Sequence, residues 1–201
     1  MGSLHRMAVV CGLTVLLTGT AYAETWETAK DENGIKVSLA EIAGSKYKAY
    51  QGVTTIKASV AKIRALQDDV ASACAWIHEC KSQKLVDKKG DESWTYTQFK
   101  APFPVTDRDS YLHITTIQNA DGSLTRKLQG VPTYKPEEKG YVRVAQVEGF
   151  WKLVPKGDNL TEVTYQVHTE PGGSVPSWLA NKFVVEAPYN TLLALKERAE
   201  K

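Results

Sequence analysis

Residues Tyr96 to Ile117 read YTQFKAPFPVTDRDSYLHITTI, two β-rich runs separated by a turn that carries two prolines. Proline donates no backbone hydrogen bond and cannot sit inside a central ladder, so Pro102 and Pro104 end one strand at Lys100 and let the next start at Arg108-Asp109. Tyr96, Phe99, Tyr111, Leu112, Ile114 and Ile117, interleaved with threonines, give both flanks the aromatic and β-branched content of sheet. An arginine and an aspartate placed just after such a turn are not sheet filler. They are the first pointer to function.

Working outward, strands are predicted at Lys84–Val86, Ser93–Phe99, Arg108–Gln118, Leu124–Val131, Tyr141–Val154 and Leu160–Thr169. Strong turn signals at Asn119-Ala120-Asp121-Gly122 and Pro155-Lys156-Gly157-Asp158-Asn159 make the sheet largely antiparallel, and Gly149 marks a bulge or bend in the longest run. Upstream, Trp26–Leu39 is a hairpin about Asn33-Gly34, and Lys46–Lys57 a further strand. Ser59 then caps a helix with apolar positions Val60, Ile63, Leu66 and Val70, Gln67 lying on the same face. Downstream, Pro171-Gly172-Gly173 ends the last strand, and Ser174-Val175-Pro176-Ser177 opens a helix that runs to about Arg198, with proline tolerated in its first turn and a kink at Pro188. Its stripe is Leu179, Phe183, Ala187, Asn190 and Ala194, widened by Trp178, Val184, Val185 and Leu193. The expected fold is α+β, a curved antiparallel sheet gripped by one long C-terminal helix.

Residues 1–23 have the form of a signal peptide: His5 and Arg6, an apolar core Met7–Gly19, and Ala21-Tyr22-Ala23 as the cleavage site. The core is too short to span a bilayer as a stable helix, and Cys11 lacks the surroundings of a lipid-anchored cysteine. Residues 24–201 are expected to form one soluble domain, a monomer, in the periplasm or secreted. The whole chain carries 25 basic and 23 acidic side chains, a formal charge of +2, with no basic run interleaved with aromatics, which argues against a nucleic-acid partner. Cys74 and Cys80 are expected to pair as a disulfide in such a compartment. On a straight helix they stand roughly 9 Å apart along the axis, so pairing requires a break near Trp76–His78. Two buried free thiols are the alternative; a metal site is disfavoured because His78 is the one other soft ligand nearby.

The string KAPFPVTDRD from Lys100 to Asp109, preceded by Tyr96, resembles the K-x-P-F/W-P-x-x-x-R-D signature of START domains, the lipid-transfer domains related to the steroidogenic acute regulatory protein. Further matches follow in order at Val142-Arg143, Gly149–Trp151 with Leu153 and Pro155, Thr161–Tyr165, Pro171-Gly172-Gly173 and Pro176–Leu179 with Asn181. The resemblance implies a helix-grip fold whose apolar tunnel holds one phospholipid, fatty acid or sterol, with the C-terminal helix as lid and transient contact with a membrane. Taking a sixteen-carbon chain out of water is worth on the order of 10 kcal/mol, at roughly 0.8 per methylene. The candidate ligand-binding residues are Tyr96, Arg108, Ser110, Leu112, Ile114, Arg143, Val147, Trp151, Tyr165, Trp178 and Phe183. If Arg108 points inward, alternation brings Ser110, Leu112, Ile114 and Thr116 inward with it, and sets Arg143 on the face of Val147 and Trp151. Arg108 has two readings: a donor fork for the lipid head, or a structural ion pair with Asp107 or Glu148. Where the family usually has an aromatic residue after Arg-Asp, this chain has Ser110.

Catalysis has little footing. The chain has no G-x-S-x-G elbow, H-E-x-x-H or P-loop, and His78, His113 and His168 show no ligand spacing, so no cofactor or metal is expected and the chain is not read as an enzyme. Two alternatives to a lipid carrier stay open. One is a small helix-grip enzyme, which requires Arg108, Tyr165 or His168 to converge on one point. The other is an interaction module whose tunnel has filled with side chains, favoured by a structure without a continuous cavity of about 300 Å³.

Overall fold

The computed structural model describes residues 25–201, the side chain of Lys182 apart; the expected signal segment lies outside these residues. Its opening hairpin pairs β1 (Glu27–Glu32) with β2 (Ile35–Ala40) about Asn33 and Gly34, whose φ of 52° and 70° suit the Asn-Gly pair. After β3 (Ala49–Ile56), the Ser59 hydroxyl accepts from the Lys62 N–H at 3.2 Å and starts α1 (Val60–Asp68). That helix ends sooner than its apolar pattern suggested. Asp69 caps a separate 3₁₀ turn, Val70–Ala75, and the chain leaves the helical register before β4 (Cys80–Lys89). Cys74 and Cys80 form a disulfide across this break, with 4.8 Å between their Cα atoms.

The remaining strands are β5 (Glu92–Phe99), β6 (Arg108–Gln118), β7 (Leu124–Gly130), β8 (Val142–Arg143), β9 (Gln146–Gly157) and β10 (Leu160–Glu170). They join one sheet in the order β1-β2-β3-β10-β9-β7-β6-β5-β4, antiparallel throughout this path. Two expectations need correction. The run Tyr141–Val154 is not one strand: β8 splits off and pairs parallel with the start of β6. Nor does Gly149 mark a bulge, because its pairing with Val167 and Leu128 is in unbroken register. A Cβ there would stand 2.8 Å from Val167 Cα and collide with the Gln166 carbonyl, so glycine permits a close approach of β9 and β10.

Helix α2 (Ser177–Ala199) crosses the concave face of the sheet against β2 and β3. Gly52 of β3 is the contact point, since a Cβ there would meet Leu192 Cδ1 at 2.5 Å. The hairpin tip holds the helix from outside: Asn33 Nδ2 donates to Tyr189 Oη at 2.6 Å, and Lys30 pairs with Glu186 at 3.2 Å. The buried residues of α2 are Pro188, Tyr189, Thr191, Leu192, Leu195 and Ala199, and its apolar ones join a core with Ile35, Val37, Ile56, Leu153 and Val163. This face is rotated from the stripe expected at Leu179, Phe183, Ala187, Asn190 and Ala194, none of which is fully buried. Within the helix, burial begins at Pro188, so the first three turns are only partly covered.

These contacts set an order for two substitutions. Gly149→Ala forces β9 and β10 apart and is expected to cost about 3 kcal/mol, whereas Gly52→Ala displaces one flexible leucine end and is expected to cost about 1. Urea unfolding of both variants reads the ranking directly; equal midpoints would refute it.

Candidate functional site

Register and alternation fix which side chains face α2. Phe99, Thr97 and Thr95 of β5 stand opposite Arg108, Ser110 and Leu112 of β6, and this parity continues through Ile114 and Thr116. It is the inner face, for Thr95, Thr97, Leu112 and Ile114 line a cavity of about 150 Å³ together with Leu128, Trp151 and Tyr165, met from the helical side by Gln67 and Asp68 of α1, by Trp76 and Ile77, and by Thr191 of α2. The predicted positions Leu112, Ile114, Trp151 and Tyr165 are thus brought together. Trp151 stacks on Tyr165 with centroids 3.8 Å apart, and Trp76 and Tyr50 meet this stack edge-on at 6.1 and 5.4 Å. Burial pushes the phenols of Tyr50 and Tyr165 up, so both are neutral donors at pH 7. The volume is half the 300 Å³ set for a ready tunnel, and corresponds to about five waters. A sixteen-carbon chain enters only after the walls separate.

Tyr96 and Arg143 lie elsewhere. Tyr96 is paired with Tyr111 on the opposite parity, hence on the outer face of β5 and β6. There Asp109, wholly buried, receives Arg143 Nε at 2.8 Å and Nη2 at 3.0 Å, and the Tyr96 hydroxyl at 3.0 Å. Arg143 also donates to the carbonyls of Pro132, Lys135 and Pro136 and sits over the Tyr111 ring at 4.8 Å. Its expected place beside Val147 and Trp151 is therefore corrected: β8 has left the β9 ladder, and its arginine ties the loop after β7 to the outside of β6.

Arg108 and Ser110 are inward and buried, beyond the end of the cavity. The ion pair considered for Arg108 does not form: among the described residues no carboxylate lies within 4 Å of it, and it donates instead to the carbonyls of Thr106 and, at 3.3 Å, Gly172. Asp107 is engaged by Lys81 at 2.6 Å and the Ala101 N–H at 2.9 Å, which together hold its carboxyl below the usual range. Arg108 thus touches the hinge before α2, where Gly172 and Gly173 have φ of 69° and 58°. Phe183 and Val147 are partly buried without lining the cavity, and Trp178 is 71% exposed, so it points away from the tunnel. Phe103, at the tip of the two-proline turn, is 95% exposed.

Some cavity residues escaped the sequence reading. Arg126 of β7 is buried and inward, paired with Asp68 of α1 at 2.8 Å, with Gln67 beside it. The signal was available: Arg126 occupies the apolar parity of Leu124-Thr125-Arg126-Lys127-Leu128. Arg108, Tyr165 and His168 do not converge, since Tyr165 and His168 have opposite parity on β10. His168 Nε2 meets the Ser45 hydroxyl at 3.2 Å while that hydroxyl also bonds Glu170 at 2.5 Å, so Glu170 does not orient the imidazole through its other nitrogen as a relay requires.

A START domain profile matches residues 13–190. Over 201 residues, all of both chains, the sequence is 55% identical to an uncharacterized protein of Pseudomonas aeruginosa. It is 30% identical to the phosphatidylcholine transfer protein of Mus musculus over 107 residues, 49% of each chain. Among solved structures, a STAR-related lipid transfer protein from Xanthomonas axonopodis superposes with a TM-score of 0.82 at 37% identity, over 88% of this chain and 99% of that fragment. Human StAR-related lipid transfer protein 5 gives 0.76 at 16% identity over 90% and 88%, a likeness of fold alone.

Two outcomes test the outer-face network. Arg143→Met leaves Asp109 buried without its partner and is expected to cost about 3–5 kcal/mol of unfolding free energy, read by denaturant titration. Burial, opposed by the donated Gln98 amide and reinforced by Asp109, pushes the Tyr96 phenol up to about 12. A folded-state value above the ordinary 10.0 is a stabilising contribution present below pH 10.0 and lost as pH rises toward 12. Tyr96→Phe should therefore remove one late step from the phenolate absorbance titration.

Proposed function

The chain belongs to the START domain family, and from that premise we propose that it is a periplasmic or secreted carrier holding one lipid between the sheet and α2. Carrying the reading is the uneven burial of α2. Its second half is packed into the core at Tyr189, Leu192, Leu195 and Ala199, while its first three turns have no fully buried residue among those described and follow two left-handed glycines. The cavity of about 150 Å³, which α2 lines at Thr191, must extend toward the hinge to admit an acyl chain, and this loosely held segment is the part that can swing. The Val184 carbonyl, facing Pro188, lacks its helical N–H partner and weakens the helix where the two halves meet.

Membrane contact belongs to the same end. Arg108 follows the two-proline turn and bonds Gly172 at the hinge, so the turn that carries Phe103 and the segment that leads to Trp178 are neighbours. An aromatic tip on each gives a lipid interface something to hold while the lid moves. The double variant Phe103→Ser/Trp178→Ser is expected to bind phosphatidylglycerol–phosphatidylethanolamine vesicles about tenfold or more weakly in a sedimentation assay, with unchanged thermal stability. Unchanged vesicle binding would remove these aromatics from the reading.

One observation favours a second reading. Trp76, Trp151 and Tyr165 occupy the middle of the tunnel, which a filled interaction module shares. Native mass spectrometry of protein purified from its own cell envelope, followed by lipid extraction, separates the two. One lipid per chain is the expected result. A chain that stays empty and takes up no fluorescent fatty acid, sterol or phospholipid is the filled module.

A further inference from the structure

Arg108 and Arg126 lie on the same inner face, eight residues apart along β6 by register, since Thr116 stands opposite Arg126. This is about 27 Å of strand, so a buried guanidinium stands at each end of the tunnel. Arg108 is occupied by carbonyls at the hinge. Arg126 is not so fully engaged: Nη1 stands 2.8 Å from Asp68 and donates to the Gln67 side-chain carbonyl at 3.4 Å, and neither Nε nor Nη2 donates a hydrogen bond to a described residue. Around it the unmet groups have one character. Gln67 Nε2 and Trp76 Nε1 are buried donors without a partner, both residues line the same cavity, and Trp76 packs on Trp151, the register neighbour of Arg126. Further along the wall the Thr95 hydroxyl is also buried and unpaired. A buried donor left unmade costs about 1–3 kcal/mol, so several on one cavity wall describe what the cavity is built to meet.

The local charge has the same sense. Asp68 is shared by Arg126 and by Arg64, whose Nε lies 3.4 Å away, and the second carboxylate on Arg64, Asp91, is 71% exposed and screened by solvent. Two guanidiniums therefore share one carboxylate, itself 38% exposed, at the α1 end. Burial also presses the Arg126 pKa below its ordinary value, with Asp68 opposing and Arg64 adding to the shift.

From this set of donors we propose that the α1 end of the cavity is a headgroup site for an anionic single-chain lipid, its carboxylate or phosphate oxygens accepting from Arg126 Nε and Nη2, Gln67 Nε2 and Trp76 Nε1. The chain then runs along the Trp151–Tyr165 stack toward the hinge, and the narrow bore selects one chain over two. This assignment rests on the lipid-carrier reading. Its test keeps the two separable.

Three ligands with the same oleyl chain, namely oleate, oleyl alcohol and oleoyl lysophosphatidate, are titrated into the purified protein by calorimetry. Oleate or the lysophosphatidate should bind about tenfold or more tightly than the alcohol, the scale of a hydrogen bond to a charged group. The tighter of the two identifies carboxylate or phosphate as the head. Arg126→Met should abolish the preference, and Trp76→Phe, which keeps an aromatic ring of smaller size and deletes one donor, should reduce it about threefold or more; Lys127→Met, on the outer parity, should leave it intact. If Arg126→Met does not fold, Trp76→Phe and Gln67→Leu decide, and an acid-over-alcohol ratio unchanged in both overturns the site. Equal binding of acid, phosphate and alcohol by the wild type overturns the headgroup site and spares the carrier. Binding of none overturns both.

Discussion

The Asp109–Arg143 pair is the contact through which the sheet, the outer loop and the lid hinge are joined. A carboxylate with no solvent exposure is tolerable only because a bidentate guanidinium and a phenol surround it. Through that pair the loop after β7 is fastened to the outside of β6. The same β8 backbone lies against Gly172, where an added Cβ would strike the Arg143 carbonyl and stand 3.5 Å from Val142 Cγ1. One residue away, Arg108 is turned through the sheet to the inner face and holds the Gly172 carbonyl from the other side. Adjacent residues thus serve two compartments because a strand alternates. Asp109 ties β6 to the outer loop, and Arg108 ties β6 to the segment before α2.

Inside, the balance is between closing the grip and leaving room. Gly52 lets α2 lie against β3, and Gly149 lets β9 and β10 approach, so the curved sheet closes tightly around Leu192 and Leu195. The opposite wall is less efficiently filled. Thr95, Thr97 and Ser110 are short and polar where a sealed core would place large aliphatic residues, and the Thr95 hydroxyl has no hydrogen-bond partner among the described residues. The contrast between a well-packed half and an underfilled half localises the ligand space without any bound molecule.

Much of this architecture was legible because local chemistry dictates it. Prolines bound β5 and β6, Asn33-Gly34 makes a hairpin, Ser59 caps a helix, and a disulfide six residues long needs a helix break. What could not be read depends on neighbours. Nothing in Tyr141-Val142-Arg143-Val144-Ala145-Gln146-Val147 interrupts alternation, yet Val144 donates to Asp109 and Ala145 to Glu170, so the strand changes partner there and parity no longer carries Arg143 inward. The N-terminal half of α2 is apolar on several sides, which hides the face that packs. Arg126 was passed over because a charge in a strand defaults to solvent, although its apolar flanks place it in the core face. Trp178 was drawn inward by its hydrophobicity, and the structure leaves it outside.

The strand order has a consequence for how such a chain comes into being. β3 finds its second neighbour in β10, more than a hundred residues later, and the concave face is covered only when α2, the last element, arrives. Pairings of such long sequence separation are slow because loop-closure entropy is lost before any contact repays it. A nascent chain therefore presents an uncovered apolar trough until its final residues are available. The apolar face that suits a member of a lipid-binding family thus also makes the unfinished chain sticky until α2 covers it.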